Sequence, residues 1–140
     1  MATVVLISCA KKKLDHAVPA KDLYASPLFR LSWKYAQTRN PDKIFILSAK
    51  YHLLDPEKVV KPYDQTLKRM NRQERKGWSA EVLKELRDNT DTKNDKFVLL
   101  AGRSYLEYMK DEIVHKEEPL KGLSIGKRIS GLNELTKARE

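Results

Sequence analysis

The sequence predicts an α/β fold: a three-layer, mostly parallel sheet flanked by helices, formed as one domain over residues 1–140. Three observations point there. Three short apolar runs, TVVLIS, KIFILS and KFVLLA, are spaced along the chain with helical patterns between them. Each run is continuously apolar rather than alternating, as expected for strands covered on both faces. Strands alternating with helices favour parallel pairing through crossover connections. The length of 140 residues suits one domain with an adequate core.

The first strand is expected over residues 3–8, ending abruptly at Ser8-Cys9-Ala10 and a run of three lysines. Ser26 is a candidate cap for a helix beginning at Pro27 and continuing to about Thr38, with Leu28, Leu31, Trp33 and Tyr35 on its apolar face. Asn40-Pro41-Asp42 ends it. The second strand follows over 43–48. Residues 49–67 show no clear period and read as a long loop, a feature that in a compact domain is usually functional.

A helix is expected over 71–87, with Asn71 as cap and Glu74 completing an imperfect capping box; Trp78, Val82, Leu83 and Leu86 form its inner face. The third strand covers 96–101. Tyr105, Leu106, Met109 and Ile113, spaced at three and four, predict a helix over 104–114, and a last helix is expected over 127–137.

Lys and Arg together number 28 against 19 Asp and Glu, a formal charge of +9. This excess favours an anionic partner, nucleic acid or a nucleotide first among them; a lysine-rich solvated surface is the competing reading. The single cysteine excludes an intramolecular disulfide and suits a reducing cytoplasm. The N-terminal apolar run is too short for a signal or membrane segment, so no membrane association is expected. One cysteine and three scattered histidines lack metal-ligand spacing, so neither metal nor cofactor is expected.

In open α/β sheets ligands bind beyond the carboxyl ends of the strands. All three predicted strands end there in small or polar groups: Ser8-Cys9, Ser48-Ala49-Lys50 and Ala101-Gly102-Arg103. In the first group, Lys11 and Lys13 are candidate phosphate contacts. Cys9 is a candidate nucleophile, because basic neighbours favour the reactive thiolate; an inert small hydrophobe is the competing reading. Asp15-His16 resembles an oriented base, although adjacent residues rarely face each other. In the second group, Lys50 just past a strand is expected to be a partly desolvated amine, an anion anchor or nucleophile. Tyr51 and Tyr63 offer faces for stacking on a base, and Asp64 is a candidate general base or ribose contact. The bland reading makes these residues the loop's own core. In the third group, Gly102 between strand and helix lets a ligand approach the backbone, with Arg103, Ser104 and Tyr105 behind it.

The segments ISCAKKK, DLYASPLF, FILSAKYHLLDPEKVVKPYDQTL, LLAGRSYLEYM and PLKGLSIGKR span nearly the whole chain. Together they resemble a bacterial and phage domain family of unknown function, itself similar to the YaaA peroxide-stress family and, more distantly, to the archaeosine synthase core domain. The resemblance implies DNA binding and oxidative-stress protection on one side, and modification of a deazaguanine base in tRNA on the other. The family pattern falls on Ser8, Cys9, Lys11, Tyr24, Ser26, Ser48, Lys50, Tyr51, Leu54, Pro62, Tyr63, Gly102 and Tyr105. His52 departs from it, standing where the family commonly has glycine; a glycine there would permit a positive φ that His adopts less readily. The function expected is an enzyme acting on a nucleobase, a nucleotide or a base within nucleic acid, by N-glycosidic cleavage, exchange or base modification. Lys50, Asp64 and Cys9 are its catalytic candidates. The alternative is a non-catalytic DNA- or RNA-binding module.

Overall fold

The structure is a computed structural model describing residues 1–139. Its centre is β1 (Thr3–Ser8), whose residues Val4, Val5, Leu6 and Ile7 are at most 1% exposed. β3 (Lys43–Ser48) and β6 (Lys96–Leu100) flank β1, both parallel to it, with Leu6 opposite Phe45 on one side and Leu99 on the other. Continuous apolar runs become central strands because both faces are covered.

Two short strands close the sheet. β4 (His52–Leu54) folds back antiparallel on β3, and β7 (His115–Glu117) adds parallel to β6, giving the order β4-β3-β1-β6-β7. A separate two-stranded sheet pairs β2 (Val18–Pro19) with β5 (Val59–Val60). The stretch 49–67 is therefore tied down at two places and is not a free loop.

The first crossover helix, α2 (Pro27–Thr38), is preceded by a single turn, α1 (Ala20–Leu23). Ser26 caps α2 through its Oγ, which accepts from the Phe29 amide at 3.1 Å. Its buried face is Phe29, Ser32, Tyr35 and Ala36, so Leu28, Leu31 and Trp33 lie at the margin and not at the centre. The second crossover helix, α3 (Arg72–Asn89), carries a complete capping box: the Glu74 amide donates to Asn71 Oδ1 at 2.8 Å and the Asn71 amide to Glu74 Oε1 at 2.9 Å. Trp78, Val82 and Leu86 are buried, and Leu83 only partly so.

The helix expected over 104–114 does not form. The chain makes a single turn, α4 (Arg103–Leu106), a 3-10 turn at Lys110–Glu112, and then β7. Leu106, Met109 and Ile113 are buried as their spacing predicts. Continuing the helix would leave the outer edge of β6 unpaired, and the ladder of β7 on β6 supplies those hydrogen bonds instead. The last helix, α5 (Ile125–Arg139), lies against α2 and buries Leu132 and Thr136.

The chain steps from β1 outward to β3, then returns across β1 to β6. With right-handed crossovers, steps in opposite directions put α2 and α3 on opposite faces of the sheet. The reversal opens a crevice beyond the carboxyl ends of β1 and β6, the place where such folds bind ligands.

Candidate functional site

Cys9 and Gly102 face each other across that crevice, one residue past β1 and two past β6. The Cys9 amide donates to the Leu47 carbonyl at 3.0 Å, prolonging the sheet register by one residue. Cys9 is 9% exposed, and its Sγ lies 3.3 Å from the Tyr105 hydroxyl, which also donates to the Cys9 carbonyl at 3.3 Å. Tyr105 stands edge-on to Trp78, with ring centroids 5.8 Å apart, and Trp78 Nε1 donates to the Ser48 carbonyl at 2.8 Å. The thiol is thus held by a rigid aromatic pair anchored to the end of β3.

A second network lies under the same end. Ser48 Oγ accepts the amides of Lys50 (3.2 Å) and Tyr51 (2.9 Å), which uses its acceptor capacity. Its proton therefore goes to Tyr63 Oη at 2.8 Å, and the Tyr63 proton to Tyr24 Oη at 2.6 Å. Burial, reinforced by the nearby Cys9, pushes both tyrosines above the ordinary tyrosine range, so this chain of donors is intact at neutral pH.

Lys13 crosses above this network. Its backbone bridges to Tyr24, and its ammonium lies 4.3 Å from the centroid of the Tyr63 ring and 5.8 Å from that of Tyr24. Burial lowers its pKa, opposed by the charges of Cys9 and Asp64. The partly desolvated amine of the site is therefore Lys13. Lys50, expected in that role, is exposed, because the β3–β4 turn carries it outward; its ammonium lies 5.4 Å from the Tyr51 ring. Tyr63, expected to stack on a base, is instead enclosed, edge-on to Tyr24 and Tyr51 and beneath Lys13. Tyr51 is half-buried, with Lys58 as a second ammonium 5.9 Å from its ring.

A cavity of about 420 Å³ opens over Cys9, within the size range of small-ligand sites. Ser8, Cys9, Lys11, Gly102, Ser104 and Tyr105 come to it from the strand ends, Thr66 to Arg69 from the middle segment, and Ile125 and Arg128 from α5. Lys11, Lys68, Arg69 and Arg128 are charged, and among the described residues no carboxylate lines it. A narrower recess alongside brings in Ser26 and Ser32.

Two candidates face elsewhere. Asp64 lines a neighbouring cavity of about 350 Å³ that shares Thr66 and Arg69 with the first. Arg103 lines one of about 490 Å³ with Glu107, Lys110, Glu118 and Lys121, joined to the first through Arg128. Asp15 and His16 do pair, at 2.8 Å, but on an exposed loop. Among the described residues no group of three His, Cys, Asp or Glu could hold a metal ion, and no helix is long and apolar enough to cross a membrane.

Sequence reasoning missed Lys68, Arg69 and Arg128. One signal was available for Arg128. The first turn of α5 holds Lys127 and Arg128 and no acid, against the preference of the helix dipole for negative charge there.

Fold and site together define a doubly wound α/β domain with a cation-lined crevice at its topological switch point. The chain belongs to the family of unknown function DUF6884, whose model matches residues 4–134. No curated protein and no solved structure matches it. The expected kinship with YaaA proteins and the archaeosine synthase core finds no support in these comparisons.

Proposed function

We propose that this protein is an enzyme acting on a nucleobase or nucleotide, free or within a nucleic acid, by N-glycosidic cleavage, exchange or base modification. The observation that carries the reading is the cavity over Cys9: among the described residues it is lined by four cations and no carboxylate, with a thiol paired with a tyrosine hydroxyl at the switch point. Cations converging there favour a phosphate-bearing ligand. Cys9 is the candidate nucleophile, with Tyr105 as its hydrogen-bonding partner. Lys13 and Asp64 are the candidates for proton transfer, Lys13 taking the place first expected of Lys50 because it is the less solvated amine. A base within a duplex would have to be flipped out to reach a cavity at the strand ends.

The test is a mass-spectrometric screen of the protein against modified and unmodified DNA, tRNA, nucleotides and nucleosides, beside Cys9→Ser and Lys13→Ala. A released or altered base that disappears in either variant is expected. Binding without any mass change would replace this reading by the non-catalytic nucleic-acid-binding module, and absence of both would overturn each.

A further inference from the structure

We propose that Arg128 is the anchor for a phosphate group of the ligand, fixing which end of the ligand lies at the β6 side of the crevice. The inference rests on the reading of this cavity as nucleotide-directed. Arg128 is half-buried, and its Nε donates to the Leu123 carbonyl at 3.0 Å, which orients the guanidinium; among the described residues its two terminal nitrogens make no hydrogen bond. These nitrogens lie over Gly102: a Cβ added there would stand 3.3 Å from one of them. Gly102 has φ −77 and does not need glycine for backbone freedom, so the room above it serves the guanidinium.

Among the described residues Arg128 has no carboxylate within ion-pair distance. Arg39, also half-buried, meets Glu117 at 2.7 Å, and the more exposed Arg87 meets Glu112 at 2.8 Å. Glu107 and Glu118 line the cavity on the far side of Arg128, and Glu118 faces Lys110 at 4.0 Å. A half-buried, oriented guanidinium that meets no carboxylate among the described residues is placed to take its counter-charge from a ligand. Lys11, Lys68 and Arg69 share its cavity and favour an anion; the fork of Arg takes an oxyanion bidentately, and in a nucleotide that oxyanion is the phosphate.

The test is calorimetric titration of the full chain with a nucleoside 5′-monophosphate, the matching nucleoside, and an oligonucleotide with and without a 5′-phosphate. The wild-type protein is expected to bind a phosphorylated compound at least roughly tenfold more tightly than its unphosphorylated counterpart. Arg128→Ala should erase that difference, and Arg128→Lys should retain part of it. Gly102→Ala, whose Cβ would press on the guanidinium from 3.3 Å without changing charge, should weaken phosphate binding as well, and keeps the inference testable should Arg128→Ala fail to fold. Dependence on Arg128 with the monophosphate points to a free nucleotide, and with the oligonucleotide alone to a nucleic-acid end; either supports the anchor. Equal phosphate affinity in wild type and Arg128→Ala, or no preference for phosphate in the wild type, overturns it. Altered bases in the screen with an unchanged phosphate preference in Arg128→Ala would sink the anchor and leave the enzyme. Phosphate binding that depends on Arg128 without any altered base would do the reverse.

Discussion

His52 follows the tight turn between β3 and β4 and holds φ at +62°, in the left-handed region that glycine occupies freely. The backbone there keeps the shape a glycine would allow, and the histidine bears the strain. Among the described residues the His52 side chain makes no hydrogen bond, so exchanging it costs no partner. His52→Gly is expected to leave stability within about 0.5 kcal/mol, because relief of strain and the greater freedom of the unfolded chain offset each other. His52→Val, β-branched in the same conformation, should cost about 1–2 kcal/mol in urea unfolding. Equal stability for the two variants would show that the left-handed turn is not maintained.

Tyr63 carries a second prediction at this scale. Its folded-state pKa is raised by burial, as is that of Tyr24. Below the unfolded value of about 10, both states hold the proton and these groups give stability no dependence on pH. Above it the unfolded chain releases protons that the folded chain retains, so unfolding is favoured progressively as pH rises. The thermal midpoint should therefore fall above about pH 10. Tyr63→Phe, which also breaks the bonds to Ser48 and Tyr24, should cost about 1–3 kcal/mol at neutral pH and flatten the alkaline fall. An alkaline slope unchanged in that variant would assign the titration to other groups.

Among the elements, the three central strands β1, β3 and β6 and the helices α2 and α3 were legible because local signals and tertiary burial agree: an unbroken apolar run, a Ser-Pro start, an Asn cap with its glutamate. The failure at 104–114 is instructive for the opposite reason. Tyr105 to Ile113 has helical spacing, but a periodic pattern reports which residues are buried and not that the chain between them is hydrogen-bonded as a helix. The open edge of β6 is a tertiary demand that no window of sequence contains. β4 and β5 were hidden in the same way, being too short to show alternation. β7 is held by Glu117, which meets Lys96 and Arg39 at 2.7 Å each, and Lys96 first and Arg39 second hold its carboxyl below the usual carboxylate range. A depressed carboxylate stabilises the fold above its unfolded pKa, and that contribution is lost as pH falls through the folded value. Glu117 is partly exposed, so the effect is local: Glu117→Gln should lower amide-exchange protection across residues 115–117 by an amount equivalent to about 1 kcal/mol while leaving β1 and β3 protected. A global loss of protection would show instead that β7 is part of the cooperative core.

For the whole molecule, strand ends located the crevice in the sequence, but the composition of its walls depends on distant segments. Arg128 sits on the last helix and Lys68 and Arg69 on a 3-10 turn, and only packing brings them to Cys9. Net charge could not separate these local cations from the rest of a +9 surface, and salt can. Contacts along a duplex release counterions at every neutralised phosphate, so log K falls against log salt by about 0.9 per contact, whereas one anchored phosphate group has the shallow dependence of a few charges. Duplex DNA is therefore expected to bind non-specifically at about 50 mM salt and to lose several orders of magnitude of affinity by about 200 mM. The nucleotide, held by an oriented guanidinium in a partly enclosed cavity, should keep most of its affinity over that range and remain dependent on Arg128. Parallel loss of both ligands with salt, indifferent to Arg128, would place all binding on the general surface charge and leave the cavity without a role in recognition.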